Sequence, residues 1–257
     1  MLSEKAVAER ALGWQRATHA SVCDVLEPWE HGTVARATRY PSYYDFNVVR
    51  VEDEPAMSVD ELAAFADEAL AGLAHRRVDF DDAAAAEPLR AGFEARGWLP
   101  SRLLMMRHEV APPSGPDVPV EDVPYDTVHD LRVAWHEEDF PGRDPAGYHA
   151  QAREVALRRQ VQVLAVYEDS MPIGFAQVER DGNAAEITQV FVHPEHRGRG
   201  CGTAITRAAI AAAGDVSDLW IGADDEDRPK ALYERLGFRP AWRSMQFLRL
   251  PRRSQES

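Results

Sequence analysis

The sequence lacks several features that would assign a protein to a class at once. Its 257 residues include only two cysteines, Cys23 and Cys201, so a disulfide framework is not expected and a reducing compartment is indicated. No run approaches the roughly 20 apolar residues that cross a bilayer. The N-terminal stretch MLSEKAVAERALGW has no apolar signal-peptide core. We therefore expect a cytoplasmic protein without a membrane partner.

Basic charge is also scarce. The net charge is −14 at pH 7. Residues 1–115 hold 12 Lys+Arg and 19 Asp+Glu, which leaves 17 and 24 for the rest, so neither part is basic. A nucleic-acid partner requires a basic face that neutralises phosphates, and this charge balance argues against one. The hydrophobic content of 45% is ordinary for a globular protein with a buried core.

One proline-rich stretch divides the chain. APPSGPDVP, residues 111–119, contains four prolines and a glycine and cannot continue a helix or a central strand. It predicts two domains, residues 1–110 and 120–257, joined by a linker at 111–119. In both segments helical and strand-like patterns alternate, which predicts an α/β (α+β) fold with a mixed sheet in each domain.

The two segments resemble each other at their ends. RAGFEARGWLPSRLLM (Arg90–Met105) and KALYERLGFRPAWRSM (Lys230–Met245) are identical at five of sixteen positions, and the order of predicted elements also repeats. In both, a helix ends at a glycine, where a left-handed cap is favoured, and an aromatic residue follows. We predict a duplicated fold.

The stretch RGRGCG, residues 197–202, lies between a β-branched run and a predicted helix. Glycines let backbone N–H groups approach a ligand, and the N-terminus of a helix favours an anion. A flexible turn is the alternative. The spacing matches neither a Walker loop, which requires GK[ST], nor the dinucleotide pattern G-x-G-x-x-G.

In this context VFVHPEHRGRGCGTAITRAAI resembles the acyl-CoA signature [QR]-x-x-G-x-[GA] of the GNAT acetyltransferase superfamily. LYERLGF (Leu232–Phe238) is similar to a second signature of that family. The resemblance covers residues 120–250 approximately, and the acyl-CoA signature does not occur before Ala111. Together with the duplicated fold, it indicates a tandem GNAT protein with a degenerate N-terminal half.

The resemblance implies two GNAT-like domains with V-splayed sheets and one acetyl-CoA site, at the opening between two central strands. Acetyl-CoA would be the acyl donor, with no metal. The residues implied for binding it are Val190, Phe191 and Val192 along the pantetheine arm, Arg197, Gly198, Arg199, Gly200, Cys201, Gly202 and Thr203 at the pyrophosphate, and Asp227 near the CoA tail. Many members carry Asn at the position of Asp227.

Acetyl transfer to an amine requires a neutral nucleophile, oxyanion stabilisation and a proton for the thiolate. The resemblance assigns the proton donor to Tyr233, the tyrosine of LYERLGF; a packing aromatic is the alternative. Glu186, at the start of EITQVFV, is either the general base or a solvent-facing charge, and Glu179 is a further candidate. The oxyanion donor would be a strand N–H, that of Val192.

The remaining candidates concern the acceptor and its partners. Trp135, Glu138 and Asp139 either line an amine-binding pocket or form a solvated acidic helix end. His193 and His196 supply only two ligands, so no metal is expected, and Cys201 is expected to be a small loop residue. The first segment would pack as an internal pseudo-dimer partner in a monomer or homodimer. The expected function is acetyl-CoA-dependent N-acetylation of a primary amine, with a non-catalytic acyl-CoA sensor as the alternative.

Overall fold

The computed structural model describes residues 3–112 and 118–251. They form two compact units. Unit 1 contains residues 3–104, 224–226 and 241–251, and unit 2 contains residues 105–112, 118–223 and 227–240. The central residues of the predicted linker, 113–117, lie outside the described residues. The predicted limits differ from this division at the C-terminus, because residues 241–251 join unit 1.

Unit 1 begins with helix α1 (Glu4–Val22) and three antiparallel strands, β1 (Val25–Trp29), β2 (Gly32–Arg36) and β3 (Asn47–Val51). Helix α2 (Val59–Ala69) then leads to β4 (Arg76–Phe80), which pairs with β3 in parallel. Short helices α3 (Ala83–Ala86) and α4 (Arg90–Glu94) precede β5 (Leu99–His108), whose residues are divided between the units. A 3-10 turn that contains Pro88 separates α3 from α4.

The last strand explains why residues 241–251 belong to unit 1. Strand β11 (Phe238–Arg249) pairs with β4 in antiparallel fashion, from Met245 opposite Phe80 to Arg249 opposite Arg76. Phe247 of this strand packs on Phe93 and Phe80 in the buried core. This long-range strand pair places residues 241–251 in unit 1.

Unit 2 has the order β6 (Val120–Val123), α5 (His129–Asp139), α6 (Ala146–Arg158), β7 (Gln162–Glu168), β8 (Met171–Asp181), β9 (Ala184–Val192), α7 (Cys201–Ala213), β10 (Asp218–Asp224) and α8 (Pro229–Arg235). Strands β6 to β9 are successively antiparallel, and β10 pairs with β9 in parallel. Helix α7 packs on β8 and β9 through small and β-branched residues such as Ala204, Ile205 and Ala209. The mixed α/β fold class is confirmed.

Several structural details were not predicted. Strand β6 comes directly after the proline-rich stretch. Its four residues are too few to show a clear alternation of apolar and polar side chains. In the segment YPSYYDF, residues 40–46, the aromatic side chains of Tyr40 and Phe46 are buried. The buried Asn47 side chain binds the backbone of Ala37, Tyr40 and Tyr43 and so organises this loop.

Candidate functional site

Strands β9 and β10 separate part of the way along their length. They pair from Ala184 opposite Asp218 to Ile187 opposite Ile221, while β9 continues to Val192 and β10 to Asp224. Near the separation, Gln189 has a φ of 51°, and the register between β8 and β9 shifts at Phe175/Gln177. Such a bulge bends a strand away from its neighbour. Residues 188–192 therefore present an edge of β9 that β10 does not pair, and this is the splay that the resemblance implied.

The loop after β9 leads to a helix start without a side-chain cap. Gly198 and Gly200 have φ values of 77° and 87°, which glycine adopts without the steric cost of a Cβ. Gly200 occupies the N-cap position of α7, and no side chain caps the helix there. The first N–H groups of an α-helix have no partner within the helix, so this start is able to receive an anion. The residues present thus fit a pyrophosphate.

The two arginines of RGRGCG are held by carboxylates. Arg197 donates two hydrogen bonds to Glu138, at 2.9 and 2.7 Å, and its Nε donates to the Val192 carbonyl at 2.9 Å. Arg199 donates to Glu168 at 3.1 Å. These side chains are partly exposed, and ion pairs of this kind contribute little stability and exchange easily. Glu138 thus links α5 to the loop, and its role in binding the acceptor remains a prediction.

Tyr233 lies on α8, close to the start of α7. The neighbouring residue, Leu232, lies next to Gly202 in the first turn of α7. A Cβ added to Gly202 would lie 3.5 Å from Leu232 Cδ2. The Tyr233 ring is buried and meets Phe238 edge-on, with the ring centroids 6.2 Å apart. Burial raises the pKa of the Tyr233 phenol. The phenol is therefore protonated at neutral pH and is able to donate a proton or a hydrogen bond.

Glu186 lies on β9, one residue before the last residue that pairs with β10, Ile187. Its cross-strand partners are Glu179 on β8 and Trp220 on β10. A Cβ built on the exposed Gly222 would lie 3.9 Å from Glu186 Oε1, so this carboxylate faces the stretch where the strands diverge. Glu179 forms an ion pair with Arg159 at 2.9 Å, and burial nevertheless raises the pKa of its carboxyl group.

The end of α5 covers the same strand. The Trp135 ring stacks on Phe191 with centroids 5.6 Å apart and an angle of 13° between the planes. Desolvation raises the pKa of Asp139, and the negative charge of Glu138 adds to this rise. Trp135 thus contacts Phe191 of the predicted donor strand, and its side chain also forms a hydrogen bond with Asp139.

Two other predicted residues have local structural roles. Asp227 accepts a hydrogen bond from the Arg228 N–H at 2.6 Å and helps to start α8. Cys201 is buried at the first position of α7, as a small residue would be. Their contacts with acetyl-CoA remain predictions, as do the backbone contacts of Val190 and Thr203.

The HPEH stretch forms a compact polar group that the sequence showed only in part. His193, Glu195 and His196 each place a ligand atom within 4.8 Å of the others. His196 Nδ1 also lies 3.1 Å from a Glu168 carboxylate oxygen. Glu168 therefore contacts both this loop and Arg199, a role that its position on β7 does not reveal in the sequence. The absence of a metal remains a prediction.

Comparisons with known proteins agree with the geometry. The family described as "Acetyltransferase (GNAT) domain" matches residues 159–240, which hold β9, α7 and α8. Within the residues described by the structure, no helix is long and apolar enough to span a membrane. The matched residues 159–240, most of which lie in unit 2, are thus similar to a GNAT acetyltransferase domain.

Sequence relatives match only part of the chain. An uncharacterized N-acetyltransferase of Methanocaldococcus jannaschii is 35% identical over 78 residues, 26% of this chain and 34% of the relative. A mycothiol acetyltransferase of Nocardia farcinica is 36% identical over 94 residues, 34% of this chain and 30% of the relative. The chain thus spans about a third of the length of these curated relatives.

A solved structure extends the likeness to the whole fold. A GCN5-related N-acetyltransferase from Kribbella flavida aligns with 95% of this chain and 95% of its own, with a TM-score of 0.56 and 16% identity. At this identity the likeness concerns the fold alone.

Proposed function

We propose that unit 2 is an acetyl-CoA-dependent N-acyltransferase. It would transfer an acetyl group to a primary amine of a small molecule or protein, by direct attack in a ternary complex. One observation carries this proposal: β9 diverges from β10 next to the uncapped start of α7. An extended thioester arm fits along the unpaired edge of a strand, and its diphosphate fits a helix N-terminus.

In this proposal each part of the donor meets a different group of residues. The backbone of Val190–Val192 would hydrogen-bond the pantetheine arm, and the N–H groups from Arg197 to Thr203 would bind the pyrophosphate. Bound acetyl-CoA supplies the activated acyl group. Arg197 and Arg199 would release their surface ion pairs or share them with the phosphates, which guanidinium groups bind in a bidentate manner.

The chain's own residues would move the protons. Glu186, which faces the diverging strands, would accept a proton from the amine, directly or through a water molecule. Tyr233, whose phenol is protonated at neutral pH, would donate a proton to the departing thiolate. The Val192 N–H would stabilise the oxyanion that forms during attack.

The proposal is tested by thiol release from acetyl-CoA across a panel of primary amines, comparing the wild type with Tyr233→Phe. The panel should yield at least one amine that is acetylated. We expect Tyr233→Phe to lower turnover by roughly 100-fold or more, as loss of a general acid does, with acetyl-CoA affinity retained.

Tyr167→Phe on β7 is the matched control, because it also removes a phenol from unit 2. Acetyl-CoA binding without transfer to any amine would identify a sensor and contradict the enzyme proposal. Failure of acetyl-CoA to bind would contradict both.

A further inference from the structure

The HPEH turn (residues 193–196) and the end of β7 bring together four side chains that are able to bind a metal ion. His193, Glu195 and His196 each offer one ligand atom, and these atoms lie within 4.8 Å of one another. A carboxylate oxygen of Glu168 lies 3.1 Å from His196 Nδ1. The sequence pattern offers only the two histidines and therefore predicts no metal. The structure adds two carboxylates, which completes a set of four ligands, the number that zinc takes in proteins.

The backbone of the turn holds the two imidazoles close together. Residues Pro194–His196 form a 3-10 turn, and the His196 N–H donates to the His193 carbonyl at 2.9 Å. Side chains three residues apart lie above one another in this geometry. The two imidazole rings accordingly have centroids only 5.9 Å apart. The spacing of the two histidines is thus suited to ligands of one ion.

Two imidazole nitrogens of the turn have unmet hydrogen-bonding capacity. His193 Nδ1 and His196 Nδ1 are enclosed, and neither has a hydrogen-bond partner among the residues that the structure describes. The Glu168 oxygen is close to His196 Nδ1 but does not meet it in hydrogen-bond geometry. An enclosed nitrogen without a partner costs free energy, and a bound ion is one way to satisfy it.

The distances among the ligand atoms agree with an ion that joins them. Zinc is bound by imidazole nitrogen and carboxylate oxygen atoms at about 2.0 to 2.2 Å in tetrahedral geometry, so two ligand atoms are about 3.4 Å apart. The separation of 3.1 Å between His196 Nδ1 and the Glu168 oxygen is close to this value. Glu195 is exposed, so its carboxylate is able to rotate toward the same point.

The ion pair of Glu168 with Arg199 is compatible with such a site. Arg199 donates to Oε1 of this carboxylate at 3.1 Å, whereas Oε2 is the oxygen next to His196. Both side chains of the ion pair are partly exposed, and a pair of this kind contributes little stability. Glu168 can therefore bind an ion through Oε2 without the loss of a strong interaction.

We propose that the HPEH turn and Glu168 bind one divalent transition-metal ion, with the two histidines and the two carboxylates as its ligands. Imidazole nitrogen suits Zn²⁺ and related ions, whereas Mg²⁺ prefers octahedral oxygen ligands. The ion would fix the turn that connects β9 to residues 197–202. No step of the proposed acetyl transfer passes through this ion, so the site does not depend on that function.

Calorimetric titration of the tag-free protein with Zn²⁺ tests the site. We expect one tight Zn²⁺ site per chain and no binding of Mg²⁺. His193→Ala and His196→Ala should each weaken Zn²⁺ binding by about 10- to 100-fold or more, because the loss of a hydrogen-bond partner behind a ligand already costs this much. Glu168→Gln removes the carboxylate from β7 at nearly constant size and should also weaken binding.

His129→Ala is the matched control, because it removes an exposed histidine of unit 2 that lies outside this group. Its Zn²⁺ affinity should stay at the wild-type value, and circular dichroism checks that all variants are folded. Co²⁺ gives a second measurement on the unaltered chain. Its visible absorption when bound should show nitrogen and oxygen ligands, and Zn²⁺ should displace it.

A wild type that does not bind Zn²⁺ would overturn the inference, as would equal Zn²⁺ affinities in the wild type and both histidine variants. An equal loss of affinity in His129→Ala would also contradict it. Zn²⁺ binding by a protein that fails to bind acetyl-CoA would support the metal site and contradict only the proposed acyltransferase, so the two failures are distinguishable.

Discussion

The parallel strand pairs of the two units end differently. In unit 1, β3 and β4 remain paired up to Val51 and Phe80, the last residues of both strands. In unit 2, pairing between β9 and β10 ends at Ile187 and Ile221, and both strands continue. The order of elements around the two pairs is the same, with three antiparallel strands, a helix and a parallel strand. The same order of elements therefore forms a parallel pair that stays closed in unit 1 and one that separates in unit 2.

The helices that follow β3 and β9 differ in the same sense. Helix α2 begins with a complete capping box, in which the Ser58 hydroxyl accepts from the Glu61 N–H and the Glu61 carboxylate accepts from the Ser58 N–H. Helix α7 begins at Cys201, and its N-cap residue Gly200 provides no side-chain cap. The start of α2 therefore satisfies its donors internally, whereas that of α7 leaves them for an anion.

The aromatic residues at matching positions complete the comparison. Phe93 is fully buried and stacks on Phe247 with centroids 4.1 Å apart. Tyr233, at the matching position of unit 2, carries a phenol whose pKa is raised by burial. Unit 1 thus uses this position for packing, and we propose that unit 2 uses it for chemistry.

The largest expected effect follows from obstructing the loop of unit 2. Gly198 has a φ of 77°, and a Cβ built there would meet nothing within 4 Å. Gly198→Val should weaken acetyl-CoA binding about 10- to 100-fold, because the side chain enters the proposed phosphate site and strains the loop. Calorimetric titration measures the affinity.

Gly214→Val is the matched control, since Gly214 has a φ of 73° and equally open surroundings at the other end of α7. Similar losses of acetyl-CoA affinity in both variants would show that backbone strain alone is responsible. They would contradict the proposed phosphate site at Gly198.

A smaller effect is expected when Phe93 of unit 1 is replaced by tyrosine. Phe93→Tyr places a hydroxyl in a fully buried aromatic cluster and should lower the free energy of unfolding by about 1–3 kcal/mol. Urea unfolding measures this change. Phe93→Tyr should not create a second acetyl-CoA site, because β3 and β4 stay paired and α2 is capped. A second binding event in calorimetry would contradict this difference between the two units.

The smallest effect is expected at the cap of α2. Ser58→Ala removes the side-chain acceptor of the capping box and should lower the free energy of unfolding by about 1 kcal/mol. Thermal or urea unfolding measures it. Acetyl-CoA affinity should stay at the wild-type value, and a loss of affinity would mean that unit 1 takes part in donor binding.

Much of the architecture could be predicted from local sequence. The glycines and arginines of residues 197–202 indicated the loop, and LYERLGF indicated α8. The spacing of Ser58 and Glu61 is likewise that of a capping box. These features depend on residues close together in the chain, which short patterns capture.

Long-range contacts could not be predicted in this way. Nothing near β11 indicates that Met245 pairs with Phe80, and nothing near Glu138 indicates its ion pair with Arg197. The Gln189 bulge and the proximity of Glu168 to His196 also depend on packing between distant elements. The candidate donor site was therefore visible in the sequence, whereas the four-residue group at the HPEH turn was visible only in part.

The central claim is that the chain has one acetyl-CoA site, at the uncapped start of α7. Calorimetric stoichiometry with acetyl-CoA tests it most directly. We predict one acetyl-CoA per chain for the wild type, and strongly weakened binding at that site in Gly198→Val. Two acetyl-CoA molecules per chain, or full binding in Gly198→Val, would contradict it.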